Sequence, residues 1–421
     1  MTEKKPMLSV DQALQTLLQA VRPLQEIEEV RTIAANGRVL AQAQISQLHV
    51  PPMDNTQMDG YAVRAADCTS GSSRLPVLQR IPAGVVGTTL AAGSAARIFT
   101  GAFIPGGADA VVMQEQCVTE TIDGQTFVTI QHTPQSGEWI RRQGEDIQAG
   151  AQILPAGTRL RAQELGLAAS VGLAILPVLK PLRVAVFFTG DELTMPGEDL
   201  KPGAIYNSNR FLLTGLLENL GCQVSDYGII PDNLAATRAT LREASQKHDL
   251  IITSGGVSVG EEDHIRPAVE AEGQLNMWQI AVKPGKPLAF GEVRRAANLD
   301  VQDGATHNSA FFLGLPGNPV SSFVTFLLFV RPFILRMQGV QDVTPTSYQM
   351  RADFALGKAD RRNEFLRAKI NGQGGLDVFP NQSSGVLTST VWGDGLIDLP
   401  AGKTIVEGDL VKFIPFSELL Y

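Results

Sequence analysis

Two runs of the 421-residue chain are apolar without alternation, "PLRVAVFFTG" at 181–190 and "DLIITSGG" at 249–256. A strand with one wet face alternates polar and apolar residues. A strand that is apolar throughout is covered on both faces, as in a parallel sheet under two layers of helix. The surrounding sequence fits that arrangement. Asn207 and Ser208 cap an apolar-striped stretch that stops at Gly221, "CQVSDYGIIPD" reads as a strand, and Asp232 stands where a helix over 233–247 needs a cap. "MWQIAVKPGKPLAFGEV" and "AFFLGLPGNP" read as a strand pair, and Pro319 opens a long apolar helix. Strand alternating with helix from 181 to 338 predicts a three-layer α/β domain on a parallel sheet.

The flanking regions differ in texture. Ser9 and Gln12 form a capping-box pattern ahead of Leu14, Leu17, Leu18 and Val21, which predicts an opening helix. "EIEEVRTIAAN" reads as a strand before a turn at Asn36-Gly37. From about 50 to 145, short runs such as "YAVRAA", "LPVLQRI", "AARIFTG", "DAVVMQEQCV" and "FVTIQH" sit between Gly, Pro and Asp, the signature of a small β domain. Residues 146–180 again contain a helix-forming stretch and pair in expectation with the N-terminal segment, which makes the β region an insertion. The tail beyond 339 carries turns and strand-like runs without helical periodicity, so a small barrel or sandwich is expected. The expected units are 1–49 with 146–180, 50–145, 181–338 and 339–421: a multidomain chain of class α/β plus β.

Composition removes several function classes. Hydrophobic residues make up 44% and charged residues 19%, the balance of a soluble globular protein, and a net charge of −8 disfavours nucleic acid as the main partner. The uncharged part of 320–335 falls short of the ~18 residues a bilayer requires, and Arg331-Pro332 interrupts it, so a buried helix is expected rather than a membrane span. Cys68, Cys117 and Cys222 are far apart with no CxxC or CxxH, which points to buried small hydrophobes in a reduced cytoplasm. The amino-terminal stretch lacks the apolar core of a signal peptide.

In a parallel sheet, ligands bind beyond the carboxyl ends of the strands. Three such ends carry similar residues: "FFTGDEL", "IIPDN" and "ITSGGVSVGEEDH". Thr189, Gly190, Asp191, Glu192, Asp232, Ser254, Gly255, Gly256, Ser258 and Asp263 can therefore converge. Small residues with exposed N–H groups suit phosphate, and carboxylates suit Mg2+, which binds through a few carboxylates and substrate phosphates. The competing reading is structural: Asp232 and Asp263 as helix caps, the glycines as turns. There is no GxxxxGK[ST], and "SGGVSVG" is not GxGxxG. In "KPGKP", Lys283 and Lys286 form either an oxyanion pocket or an ordinary surface turn. "LGLPGNPVSS" sets Pro316, Gly317 and Asn318 ahead of a helix start with free N–H groups. Asp54, Asp59 and Asp109, beside Gly or Asn, read on their own as turn residues.

Taken in order, "DNTQMDGYAV", "TGAFIPGGADAVV", "RRQGEDI", "TGDEL", "IYNSNR", "TSGGVSVGEEDH", "KPGKP" and "LGLPGNPVSS" resemble the molybdopterin molybdenumtransferase family, bacterial MoeA and the E domain of gephyrin, over nearly the whole chain. TGDEL with SGGVSVGxxDH also resembles free-standing molybdopterin adenylyltransferases; the MDGYA and TGAxxP segments and the β tail single out the longer enzyme. The resemblance implies an elongated homodimer that inserts molybdate into adenylylated molybdopterin with Mg2+ and releases AMP, in a cleft shared between the α/β domain of one subunit and the insertion of the other. It also implies transient contact with an adenylyltransferase and with molybdoenzyme chaperones. Carried over, catalytic positions are Asp59, Thr100, Asp146, Glu192, Asp232 and Asp263, with Glu192, Asp232 and Asp263 on the metal. Ser254, Gly255, Gly256 and Ser258 match the phosphate seat, Lys283 and Lys286 the anion turn, and Arg362 and Ser384 add to it, with Arg361 and Ser383 as neighbours able to substitute. Thr56-Gln57 and a longer 293–309 connection, read as an exposed loop without chemistry, depart from the family pattern. The alternatives are an adenylyltransferase and a non-catalytic pterin-binding scaffold.

Overall fold

The computed structural model describes residues 7–256, 264–285, 287–295 and 308–420. Its centre is a six-stranded sheet in the order Gln223–Ile230, Arg183–Thr189, Leu250–Ser254, Ser309–Leu315, Pro287–Arg294, Gly273–Gln279. The first four strands are parallel. The last two run antiparallel to their neighbours, so the sheet is mixed rather than wholly parallel as expected. Only seven residues separate Gln279 from Pro287, too few for the crossover a parallel neighbour needs. The connection over 296–307 lies outside the described residues.

Residue-by-residue alternation explains the two apolar runs. Val184, Val186 and Phe188 enter one core with Leu213, Leu217 and the long helix Pro319–Met337, while Ala185 and Phe187 enter another with Leu241, Ala244, Ile265 and Val269. Helices Ser208–Asn219, Leu234–Lys247 and Ile265–Glu272 complete the layers. Pro319–Met337 is the one helix of membrane-spanning length among the described residues, and 89% of it is buried inside the protein. Its middle turn, Phe326–Val330, is π-helical. Phe329 and Phe333 are fully buried, each contributing about 1.5–3 kcal/mol of transfer free energy.

The opening helix Val10–Ala20 has the anticipated reciprocal cap between Ser9 and Gln12. Its buried Ala13 and Leu17 belong to the same core as the long helix, so it covers the α/β sheet's helical layer. The strands that follow pair back in sequence: Ile27–Arg31 with Ile175–Leu179, and Gln44–Ile45 with Gln152–Leu154. Between them sits a six-stranded sheet in the order Ala110–Met113, Gly60–Val63, Ala95–Ile98, Ser73–Ile81, Gln125–Ile130, Cys117–Ile122. Each strand-like run in 50–145 contains one or two of these strands.

The C-terminal sheet begins with a strand from elsewhere. Val282–Lys283 pairs in parallel with Asn363–Ile370, followed by Gly395–Leu399, Leu410–Pro415 and Tyr348–Arg351. Leu376–Val378 pairs with Asn363–Ile370 and bridges to Ala352, which curls the sheet back on itself. A short helix, Thr388–Trp392, was not expected here; at five residues it is too short to leave a periodic signal.

If the opening helix is integral to the core, Leu17→Ala should cost about 2–5 kcal/mol in urea denaturation. A loss under about 1 kcal/mol would mean that the helix frays independently of the sheet.

Candidate functional site

A cleft of about 660 Å3 lies beyond the carboxyl ends of the parallel strands. One wall is built from strand ends: Thr189 and Gly190, Glu192, Asp232, Gly255 and Gly256, and the Pro316-Gly317-Asn318 turn leading to Ser321. The opposite wall comes from the C-terminal sheet and its entry strand: Lys283-Pro284-Gly285, Arg362, and Gln382-Ser383-Ser384. The expected residues Thr189, Gly190, Glu192, Asp232, Gly255, Gly256, Lys283, Pro316, Gly317, Asn318, Arg362 and Ser384 therefore share one cavity. Ser258, Asp263 and Lys286 lie outside the described residues.

Close approach of two strand ends sets the first wall. Gly255 has φ +100°, and a Cβ there would lie 2.9 Å from the carbonyl oxygen of Thr189, so only glycine fits. Its N–H donates to the carbonyl of Leu315, tying a third strand end to the second. At Gly317 a Cβ would meet nothing nearer than 3.7 Å, so the chain's own packing does not require glycine there.

Ser254 braces the strand end. It is buried, its Oγ donates to the carbonyl of Pro316 at 3.0 Å, and it accepts from Asn209 Nδ2 at 2.8 Å. Asn209 Nδ2 also donates to the carbonyl of Gly317 at 2.7 Å. Asn209 lies in "IYNSNR", a segment whose resemblance was noted but whose residues had no assigned task. Asp191 is exposed and does not line the cleft.

Asp232 does not cap the following helix. Asn233 does, accepting from the Ala236 N–H at 2.9 Å. The Asp232 carboxylate, like that of Glu192, makes no hydrogen bond or ion pair among the described residues. No group of three or more His, Cys, Asp or Glu able to hold a metal occurs among them. Two free carboxylates on one cleft wall fit Mg2+, which completes its shell with water and substrate phosphate oxygens.

The opposite wall is cationic and pre-organised. Lys283 Nζ lies 2.6 Å from Glu364 Oε1 and 3.4 Å from Asp360 Oδ2, and Arg362 grips Asp360 through two bonds of 3.0 Å. The Glu364 hydrogen bond holds the Lys283 ammonium above its ordinary range, and Arg362 holds Asp360 well below the carboxylate range. Glu364 and Asp360 went unnoticed in sequence; "ADRRNEFLR" contains both, but only the strand pairing of 282–283 with 363–364 shows that they face Lys283.

The Gln382–Ser384 loop rests on Arg367, which is fully buried and makes no ion pair among the described residues. Its guanidinium donates to Ser389 Oγ and to the carbonyls of Phe365 and Ser383, and its backbone exchanges hydrogen bonds with the Gln382 amide. Burial lowers its pKa to about 10, so it stays charged beneath the wall at neutral pH. The Val320 N–H, expected to be free at the helix start, donates to the carbonyl of Ser384 and docks the loop.

Asp59, Thr100 and Asp146 do not reach this cleft; no residue of 50–146 lines it. Asp59 Oδ1 accepts from the Thr100 N–H at 2.8 Å and from its hydroxyl at 2.7 Å, which lowers its pKa. Asp146 is exposed, with its backbone N–H on the carbonyl of Val50. Asp109 lies outside the turn and ties two distant segments, accepting from the Ala65 N–H 44 residues earlier. The three cysteines are free, Cys68 and Cys222 buried and Cys117 partly so; burial pushes their thiols up to about 11, 12 and 11, so none is a thiolate nucleophile at neutral pH.

An α/β domain that carries a two-walled cleft, flanked by a β insertion and a curled β tail, defines a multidomain protein of class α/β plus β. Residues 8–172 match the MoeA N-terminal region (domains I and II), 185–336 a probable molybdopterin binding domain, and 349–416 the MoeA C-terminal region (domain IV). The chain belongs to the MoeA family. A molybdopterin molybdenumtransferase of Haemophilus influenzae is 39% identical, covering 98% of this chain and all of the relative; one from Nostoc is 36% identical over 95% and 92%. Two crystal structures of MoeA proteins from Pyrococcus horikoshii superpose at TM-scores of 0.75 and 0.81, with 30% and 26% identity, covering 98% and 97% of this chain and 99% and 100% of theirs.

Because Asn233 is the cap, Asn233→Ala should cost about 1 kcal/mol of stability, whereas Asp232→Ala should stay within about 0.5 kcal/mol of wild type. Equal losses in thermal or urea unfolding would return Asp232 to a structural role. The cationic wall should keep its charge between about pH 5 and pH 9. Asp360, with its depressed pKa, keeps its ion-pair stabilisation above the ordinary carboxylate range and loses it only as pH falls through the lowered value. Sulfate affinity at the cleft should therefore be flat across neutrality, and a transition near pH 7 would contradict the assignment.

Proposed function

We propose that this chain is a molybdopterin molybdenumtransferase that inserts molybdate into adenylylated molybdopterin and releases AMP in a Mg2+-dependent reaction. The observation that carries the reading is the division of one cleft into a wall with two carboxylates unpaired among the described residues and a wall with two fixed cations. A phosphoanhydride with its metal needs the first kind of surface; a tetrahedral oxyanion such as molybdate needs the second.

On the first wall, the turns at Thr189-Gly190 and Gly255-Gly256 hold phosphate oxygens through backbone and hydroxyl donors. Glu192 and Asp232, with Asp263, hold Mg2+, which when bound neutralises charge building on the pyrophosphate. On the second wall, Lys283 and Arg362 orient molybdate, and the Ser383-Ser384 loop borders it. Asp360 and Glu364 fix Lys283 and Arg362 in place, so little side-chain entropy is left to lose when an anion arrives. No histidine or cysteine is required as a nucleophile.

Asp59, Thr100 and Asp146 act, in this reading, on the cleft of a second copy in a homodimer. Supporting it, the Asp59 carboxylate is locked by Thr100 and does not line the cleft described above. Free thiols and a soluble fold suit a cytoplasmic enzyme, which would receive its pterin from an adenylyltransferase and pass its product to molybdoenzyme chaperones.

Purified chain mixed with adenylylated molybdopterin, Mg2+ and molybdate should release AMP; none released, with adenylylation of plain molybdopterin by ATP instead, would make it an adenylyltransferase. Neither activity would leave the scaffold reading. Asp232→Ala should slow AMP release at least about a hundredfold, and near-normal turnover would remove the metal assignment. Lys283→Ala should raise the molybdate requirement about tenfold, about 1.4 kcal/mol, more than it weakens pterin-nucleotide binding.

A further inference from the structure

A second cavity, of about 580 Å3, lies away from the cleft, where the turn at 36–38, the stretch 159–161, the end of helix Ser208–Asn219, the long helix and residues 417–418 meet. Arg159 and Arg331 both line it. The Arg159 guanidinium donates to the carbonyl of Asn219 at 2.6 Å, closing the end of that helix, and Arg331 Nη1 donates to the carbonyl of Val343 at 3.2 Å. Neither lies within 4 Å of a carboxylate among the described residues, whereas the other two arginines on the cavity are paired, Arg38 with Glu28 and Arg161 with Glu164. Arg331 is only 7% exposed, its Nε is buried without a partner, and its Nη2 donates to no described residue.

A buried guanidinium beside a half-buried one, with no carboxylate within 4 Å of either among the described residues, is costly unless an anion meets them. Burial and the neighbouring Arg159 lower the Arg331 pKa to about 10, so both remain cations at neutral pH. Glu218 and Glu418 also line the cavity, yet neither forms an ion pair with the two arginines. The chain places Arg331 immediately after the π-helical turn, a widening that is common near functional positions in helices.

We propose that this cavity is an anion site for a dianionic phosphate group, bound between Arg159 and Arg331 and separate from the molybdate wall. Planar guanidiniums offer paired N–H groups that match phosphate oxygens. The volume exceeds that of bare phosphate, so a phosphate monoester fits as well as the inorganic ion. Bound there, the ligand ties together the linking unit, the α/β domain and the C-terminal stretch.

The test is thermal unfolding and calorimetric titration of the full chain with inorganic phosphate and, in parallel, glycerol 3-phosphate, with chloride at matched ionic strength as control. Millimolar phosphate should raise the melting temperature of wild type and of Lys283→Ala alike. Arg159→Met and Arg331→Met should each weaken phosphate binding about tenfold or more, and Glu418→Gln should strengthen it. Tighter binding of glycerol 3-phosphate identifies a monoester as the ligand; equal or weaker binding identifies free phosphate. No phosphate effect in wild type, an undiminished effect in both arginine variants, or loss of the effect in Lys283→Ala alone would overturn the proposal. Arg159→Met, a half-buried position, keeps the test open if Arg331→Met does not fold.

Discussion

Three backbone segments meet on the side-chain amide of Asn209: the first turn of helix Ser208–Asn219, the end of strand Leu250–Ser254 and the turn at 316–318. A buried amide must find partners or cost the fold about 1–3 kcal/mol per unmet group. Asn209 Nδ2 donates to Ser254 Oγ and the Gly317 carbonyl, and Ser254 in turn reaches the Pro316 carbonyl, while the amide's Oδ1 stays buried without a partner among the described residues. The spacing between the strand ends, and with it the width of the anionic wall, follows from these three bonds. Of the second glycine turn, the Gly255 N–H donates to the Leu315 carbonyl, which leaves the N–H of Gly256 to face a ligand.

The other wall rests on a different device. Arg367 is buried without a carboxylate partner among the described residues and donates to a hydroxyl and carbonyls beneath the Gln382–Ser384 loop. Lys283 and Arg362, by contrast, are cancelled in part by Glu364 and Asp360. The wall therefore combines cations that are aimed by acidic partners with one cation that only supplies field. An incoming oxyanion meets geometry from the first kind and potential from the second.

Much of this was legible in the sequence, for a physical reason. Strand ends in an α/β sheet are local features, so a turn such as Thr189-Gly190 or Gly255-Gly256 can be placed from its own neighbours. What was misread depended on partners far along the chain. Asp232 and Asn233 are both competent caps, and the choice of Asn233 was not written in either residue. Ser254 looks like a ligand until Asn209, 45 residues earlier, claims its hydroxyl. The antiparallel turn of the last two strands follows from the shortness of the Gln279–Pro287 connection, which a period-based reading does not weigh. Arg362 was identified, but its fixing by Asp360 and the support of Ser384 by Arg367 required the fold.

Val282–Lys283 is a strand of the C-terminal sheet although it lies inside the hairpin of the α/β domain. The two walls of the cleft are thus hydrogen-bonded to each other through the backbone that carries Lys283. A hinge between these units would have to break that pairing, so the cleft has a set gauge rather than a closing jaw. Selection among anions would then be by size against a fixed aperture, and any gating of access would have to come from outside these two walls.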